Sequence, residues 1–187
     1  MEWVRKILKE MLDFNDAFVL EEKYKDFITT KYPNKKIAIL SCMDTRLTEL
    51  LPAALGFKNG DVKVIKNAGG IISSPFGSVM RSLIVAIYQL EVEEILVIGH
   101  TDCGMQNIDS EVIIEKMKSK GISEEKIDMI KYCGIDFNEW LKGFDSVELS
   151  VSETCRIIKN HPLIPEYIKV EGLIMDSTTG KVDVVDF

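Results

Sequence analysis

Three side chains carry the first chemical signal in this sequence: Cys42, His100 and Cys103. Two thiolates and one imidazole suit Zn²⁺, which takes sulfur and nitrogen in tetrahedral geometry. Three protein ligands leave its fourth position open for water. His100 and Cys103 lie three residues apart, so a single turn can bring both to one ion. Cys42 must arrive from a distant segment. Each ligand travels with polar company, in Cys42-Met43-Asp44-Thr45-Arg46 and in His100-Thr101-Asp102-Cys103-Gly104. Taken singly, the cysteines read as buried core thiols, His100 as a satisfied core histidine, and Asp44 with Arg46 as a structural salt bridge. Taken together they outline a metal centre. Asp102, between two ligands, reads as a carboxylate that supports a ligand or caps the turn, not as a ligand.

Hydrophobic periodicity supplies the elements that must position these residues. Lys36 to Cys42 and Glu94 to Gly99 are nearly continuous apolar runs, as expected of strands buried on both faces of a parallel sheet. Val62 to Ile65 predicts a further strand, ending in the turn Asn67-Ala68-Gly69-Gly70. Residues 3 to 30 have helical spacing up to a break at Pro33-Asn34. Further helices are expected at Thr48 to Leu55, Val79 to Leu90, Ile108 to Lys120, Ser123 to Tyr132, Phe137 to Leu141 and Ser146 to Lys159. Ser74, with Pro75 at the first helical position, reads as the start of the helix through Val79. Ile168 to Met175 and Val182 to Val185, joined by Ser177-Thr178-Thr179-Gly180, read as a hairpin. The prediction is one α/β domain: a mostly parallel sheet flanked by helices, with an antiparallel hairpin at its C-terminal edge. Residues 1–34 form a helical arm, packed outside the sheet or on a partner subunit, and 35–187 the core. In such sheets ligands bind beyond the carboxyl ends of the strands, where Cys42, Asp44, Arg46, His100, Cys103 and the glycine turn all fall.

Composition narrows the function classes. The 187 residues carry a formal charge of −7, and 46% are hydrophobic. An acidic surface repels phosphate backbones, so no nucleic-acid partner is expected. No apolar run approaches the ~20 residues of a membrane span, and the N-terminus lacks the pattern of a secretory signal. A cytoplasmic location without membrane association is the expectation. Without secretion, disulfides are disfavoured. Cys133 and Cys155 have no partners at ligand spacing and read as structural. His161, before Pro162, reads as a helix-end residue. Gly69-Gly70 lacks the context of a dinucleotide site.

The segments Ser41-Cys42-Met43-Asp44-Thr45-Arg46, Lys66-Asn67-Ala68-Gly69-Gly70 and Gly99-His100-Thr101-Asp102-Cys103-Gly104 together resemble the β-class carbonic anhydrases, above all the compact branch typified by archaeal members. His161-Pro162-Leu163-Ile164-Pro165 and Val170 to Lys181 extend the resemblance through the tail, over roughly residues 35 to 187. The resemblance implies one Zn²⁺ per subunit on Cys42, His100 and Cys103, and reversible hydration of CO2 to bicarbonate. It implies that Arg46 pairs with Asp44, while Asp44 accepts a hydrogen bond from the hydroxide at the fourth position. In some members the aspartate swings onto zinc as a fourth ligand. Backbone N–H groups at Gly69, Gly70 and Gly104 are candidates to meet substrate oxygens. A homodimer or dimer of dimers is implied as well. There are two departures. Lys66 stands where the family often has Arg, and Phe57 to Asp61 lacks the glutamine of plant-type members. No proton shuttle is evident beyond Asp44, buffer or a surface group. Two other readings share the residues: hydrolysis of CS2 or COS at the same centre, and a zinc-stabilised binding or thiol redox protein without catalysis.

Overall fold

The computed structural model describes residues 2–187, with side-chain surroundings from Lys6 onward. The chain divides into two compact units, Met1–Lys31 and Tyr32–Phe187. In the first, helix α1 spans Glu2–Leu20 and a short 3₁₀ turn spans Lys23–Phe27. The predicted helix through residue 30 therefore stops ten residues early. Glu22 adopts a left-handed conformation (φ 55°), which ends the α-helical path. The charged run Glu21-Glu22-Lys23 interrupts the apolar stripe at that point. Leu8, Met11, Leu12 and Phe14 on α1 are each more than half exposed.

The second unit is an α/β domain built on a five-stranded sheet. Its strands are β1 (Ile37–Cys42), β2 (Val62–Asn67), β3 (Glu94–His100), β4 (Lys169–Met175) and β5 (Val182–Val185). They lie in the order β2-β1-β3-β4-β5. The first four are parallel, and β5 runs antiparallel to β4, as the sequence predicts. Chain order reverses between β1 and β3, because β2 lies on one side of β1 and β3 on the other. That arrangement opens a crevice at the carboxyl ends of β1 and β3. Cys42 closes β1 and His100 closes β3, with Ser41 paired to Ile98 in register.

Alternation along the central strands feeds two cores. Ala38, Leu40, Ile95 and Val97 pack on one face against α3 (Ser78–Leu90) and α7 (Val147–Lys159), through Met80, Leu83, Ala86, Val151, Cys155 and Ile158. Ile39, Leu96 and Ile98 pack on the other against Leu47 and Leu51 of α2 (Leu47–Ala54) and against Met175. Cys42 and Cys103 join that cluster. A satellite of Ile114, Ile127 and Phe137 binds together α4 (Ser110–Ser119), α5 (Glu124–Tyr132) and α6 (Phe137–Trp140).

The start of α3 corrects the sequence reading. Ser74 and Pro75 do not open the helix; Gly77 precedes it, without a side-chain cap. The Gly77 N–H donates to the Ser74 carbonyl at 3.0 Å, so Ser74 to Gly77 forms a β-turn with Pro75 at its second position. Proline favours that turn position as strongly as the first position of a helix. His161 follows α7, buried, with its Nδ1 accepting from the Leu163 N–H at 3.2 Å and its ring against Phe76.

Helix α7 sits directly on backbone where β3 and β4 carry glycine. A Cβ added at Gly99 would lie 2.7 Å from Val151 Cγ2 and 2.8 Å from Val147 Cγ1. Gly99→Ala is expected to push α7 off the sheet and destabilise the metal-free protein by about 1–3 kcal/mol. Urea unfolding should show a lower midpoint at unchanged slope; an unchanged midpoint would mean that α7 accommodates the methyl group freely.

Candidate metal centre

Cys42 is the last residue of β1 and is 5% exposed; His100 is the last of β3 and is 1% exposed. Cys103 follows three residues on, also buried. Their candidate ligand atoms all lie within 4.8 Å of one another. The Cys42 and Cys103 sulfurs are 3.8 Å apart. That separation matches the edge of a tetrahedron with Zn–S bonds of about 2.3 Å, which is about 3.8 Å.

The imidazole is set up for a ligand. Its Nδ1 lies 2.8 Å from the Thr101 carbonyl oxygen, which can only accept, so Nδ1 carries the proton. Nε2 is left with its lone pair, buried and without a hydrogen-bond partner. A buried nitrogen of this kind is costly unless something occupies it. Thr101 is itself fixed to the hairpin end of β4: its N–H donates to the Met175 carbonyl at 3.0 Å, and its Oγ1 accepts from the Ser177 N–H at 3.0 Å. The donor set and its geometry therefore fit Zn²⁺.

Protonation of the two thiols is split. Burial pushes both upward. For Cys42, the polar contact of the His100 imidazole, the backbone N–H groups of Asp44 and Gly69 and the neighbouring Cys103 outweigh burial and bring the thiol down to about 7. Cys103 stays up, because burial adds to the neighbouring negative charge of Cys42. His100 is raised, first by its contact with Cys42.

Asp44 and Arg46 meet across a forked pair. Arg46 Nη2 lies 2.8 Å from Asp44 Oδ2 and Nε 3.0 Å from Oδ1; the Arg46 backbone N–H adds a contact to Oδ1 at 2.9 Å. These bonds hold the Asp44 carboxyl well below the usual carboxylate range. Asp44 Oδ2 stands 4.0 Å from His100 Nε2. Arg46 also reaches the other ligand loop. Its Nη1 donates to Asp102 Oδ2 and its Nη2 to the Asp102 carbonyl, each at 2.8 Å. The sequence places Asp102 near the ligands, and the structure shows its partner to be Arg46.

The glycine turn follows β2 as expected. Asn67 clamps it through Nδ2 to the Ile71 carbonyl at 2.7 Å and through Oδ1 from the Ile71 N–H at 3.1 Å. Gly70 has φ +67°, and a Cβ there would lie 3.0 Å from the Cys42 nitrogen, so only glycine lets the turn close on the ligand. Gly69 lies beneath Met105 and Phe144. A cavity of about 320 Å³ opens over the centre, lined by Cys42, Met43, Asp44, Thr45, Ala68, Gly104 and Met105. Gly104 thus borders the cavity, while Gly69 and Gly70 lie behind Ala68 in the turn. Met43, Ala68 and Met105 supply apolar wall that the motif reading did not single out. Phe144 comes from the linker between α6 and α7, where no spacing pattern marks it.

The carbonic anhydrase family model matches residues 37–182. The chain belongs to the β-carbonic anhydrase family. It is 34% identical in sequence to the β-carbonic anhydrase isoform I of Trichomonas vaginalis, whose crystal structure superposes with a TM-score of 0.85 over 95% of this chain and 96% of that one. It is 53% identical to the carbonic anhydrase candidate YtiB of Bacillus subtilis (strain 168) over 179 residues, 96% of each chain. A carbon disulfide hydrolase of Acidithiobacillus thiooxidans is 31% identical over 156 residues, covering 79% of this chain and 75% of that protein.

Metal uptake should release protons, because Cys103, and the fraction of Cys42 still protonated at its lowered value of about 7, must ionise to become ligands. Calorimetric titration of the metal-free protein with Zn²⁺ at pH 7, in buffers of different ionisation enthalpy, is expected to show about one to two protons released per ion. Affinity should climb with pH and collapse in His100→Ala. Binding without proton release would contradict this ligand set.

Proposed function

We propose that this protein hydrates CO2 reversibly to bicarbonate and a proton, with one Zn²⁺ per chain held by Cys42, His100 and Cys103. The observation that carries the reading is the orphaned, buried Nε2 of His100 beside two sulfurs at tetrahedral spacing. Zinc at such a site lowers the pKa of a bound water to about 7, which makes a nucleophile available at neutral pH.

The chain's own groups then do three things. Asp44, kept ionised by Arg46, offers Oδ2 toward the centre as a hydrogen-bond acceptor and so orients the attacking lone pair. Met43, Ala68 and Met105 give a small linear apolar substrate a dry surface against which to wait. Of the three glycines, Gly104 borders the cavity, and its N–H is the donor proposed to meet oxygen as negative charge develops; the Gly69 N–H faces Cys42 instead. A carboxyl held so far below its usual range carries no proton near pH 7, so Asp44 orients, and the released proton leaves by buffer or a surface group. The exposed apolar stripe on α1 supports a homodimer or a dimer of dimers. Among the described residues, no helix is long and apolar enough to cross a membrane.

A second reading keeps the centre and changes the substrate to CS2 or COS. Similarity to carbon disulfide hydrolases favours it. Both substrates are linear and uncharged like CO2, so this cavity wall does not separate them.

Stopped-flow CO2 hydration by zinc-loaded protein, followed with a pH indicator, is expected to rise between about pH 6.5 and 9. Cys42→Ala should abolish it, and Arg46→Ala should lower it by about 10–100-fold. Zinc-loaded protein that ignores CO2 at every pH but releases hydrogen sulfide from CS2 would establish the second reading. A monomeric mass in light scattering at micromolar concentration would contradict the oligomer.

A further inference from the structure

We infer that Asp102 is a positioning residue: by holding Arg46 from the side opposite Asp44, it keeps Asp44 turned away from the metal position and so sets how often the centre is open. The inference rests on the proposed metal site, and it concerns the state of that site, not its substrate.

Arg46 has five N–H donors in a rigid plane. Four of them are engaged: two with the Asp44 carboxylate, one with Asp102 Oδ2 and one with the Asp102 carbonyl. The guanidinium therefore bridges the loop that follows Cys42 to the loop between His100 and Cys103. Asp44 Oδ2 has two possible partners. One is Arg46 Nη2 at 2.8 Å; the other is a cation beside His100 Nε2, from which Oδ2 is 4.0 Å away. A carboxylate oxygen that completes a tetrahedral zinc site sits about 3.3 Å from a coordinating imidazole nitrogen. On the imidazole side Oδ2 is within about 1 Å of that separation, while Asp44 stands outside the trio whose ligand atoms lie within 4.8 Å of one another, so closing the centre takes a swing away from Arg46. What opposes that step is an arginine that is itself partly exposed and long enough to wander. Asp102 anchors its far end, from a left-handed backbone conformation (φ 53°) that turns both its carbonyl and its carboxylate toward Arg46.

Asparagine tolerates that conformation and keeps the side-chain shape, so Asp102→Asn removes the charge with little change to the backbone. The readout is azide affinity of the Co²⁺-loaded protein, taken from its visible spectrum at one pH, because azide binds only an open centre. Asp102 is mostly exposed, so the effect is modest: Asp102→Asn should weaken azide binding about two- to fivefold. Simple Coulomb attraction predicts the opposite, since losing an anionic group favours an anion. In an Asp44→Ala background the competing carboxylate is gone, and Asp102→Asn should leave azide affinity unchanged or tighter. Unchanged or tighter binding in the single variant overturns the inference, as does an equal weakening in the Asp44→Ala background. Failure of the protein to take up cobalt overturns the metal site as well. Absence of CO2 hydration leaves the azide result standing on its own.

Discussion

Two sulfur atoms 3.8 Å apart, both buried, are an electrostatic problem that the surrounding structure is organised to contain. Ionising both without a counter-charge in a poorly hydrated place costs several kcal/mol. The metal-free protein answers by splitting them, one thiol lowered and the other raised. A divalent cation answers it better, since two thiolates cancel its charge and leave a neutral centre able to hold a further ligand. The fold must then bring Cys42 and Cys103 together and keep water from hydrating each of them separately. It does so by ending β1 and β3 within one residue of each other, in adjacent parallel strands, over a shared apolar cluster.

The rest of the site is a set of ties between the loops that leave those strands. Asn67 holds the glycine turn, and Gly70 lets that turn press on the backbone of Cys42. Thr101 ties the loop after His100 to Met175 and Ser177 at the far end of β4. Arg46 spans the two ligand loops. Each tie is polar and short, and each sits where the apolar core gives out. Packing brings the strand ends together; these hydrogen bonds then fix the relative heights of the loops to within the tolerance a metal site needs.

Much of this arrangement was legible in the sequence, for a physical reason. Strands buried on both faces must be apolar throughout, so Lys36 to Cys42 and Glu94 to Gly99 announced themselves. The ligand types stand at their ends, where parallel sheets place ligands. What was not legible depends on long-range geometry. That Arg46 would bridge to Asp102 follows from a left-handed conformation at residue 102, which aspartate adopts only in some contexts. Phe144 lies over Gly69 because the linker after α6 folds back to bridge with Gln106, a contact with no local signature. Ser74-Pro75 satisfies the rules of a helix start and of a β-turn equally, and the chain takes the turn, with α3 opening four residues later. The early end of α1 reflects the conformation of Glu22, one residue in a stretch whose composition still suits a helix.

The carbonyl that orients His100 belongs to the very next residue. Histidine ligands are often steered by a carboxylate contributed from elsewhere, which adds a negative charge and a titrating group behind the metal. A peptide oxygen adds neither. The imidazole's basicity is thus decoupled from solution pH on its rear side, and no anion stands there to offset the charge of a dication bound at Nε2. The acid–base behaviour of the centre is left to its front, to whatever fills the fourth position and to the carboxylate facing it. A local backbone contact that no substitution can delete thereby narrows the number of groups through which this centre can be tuned.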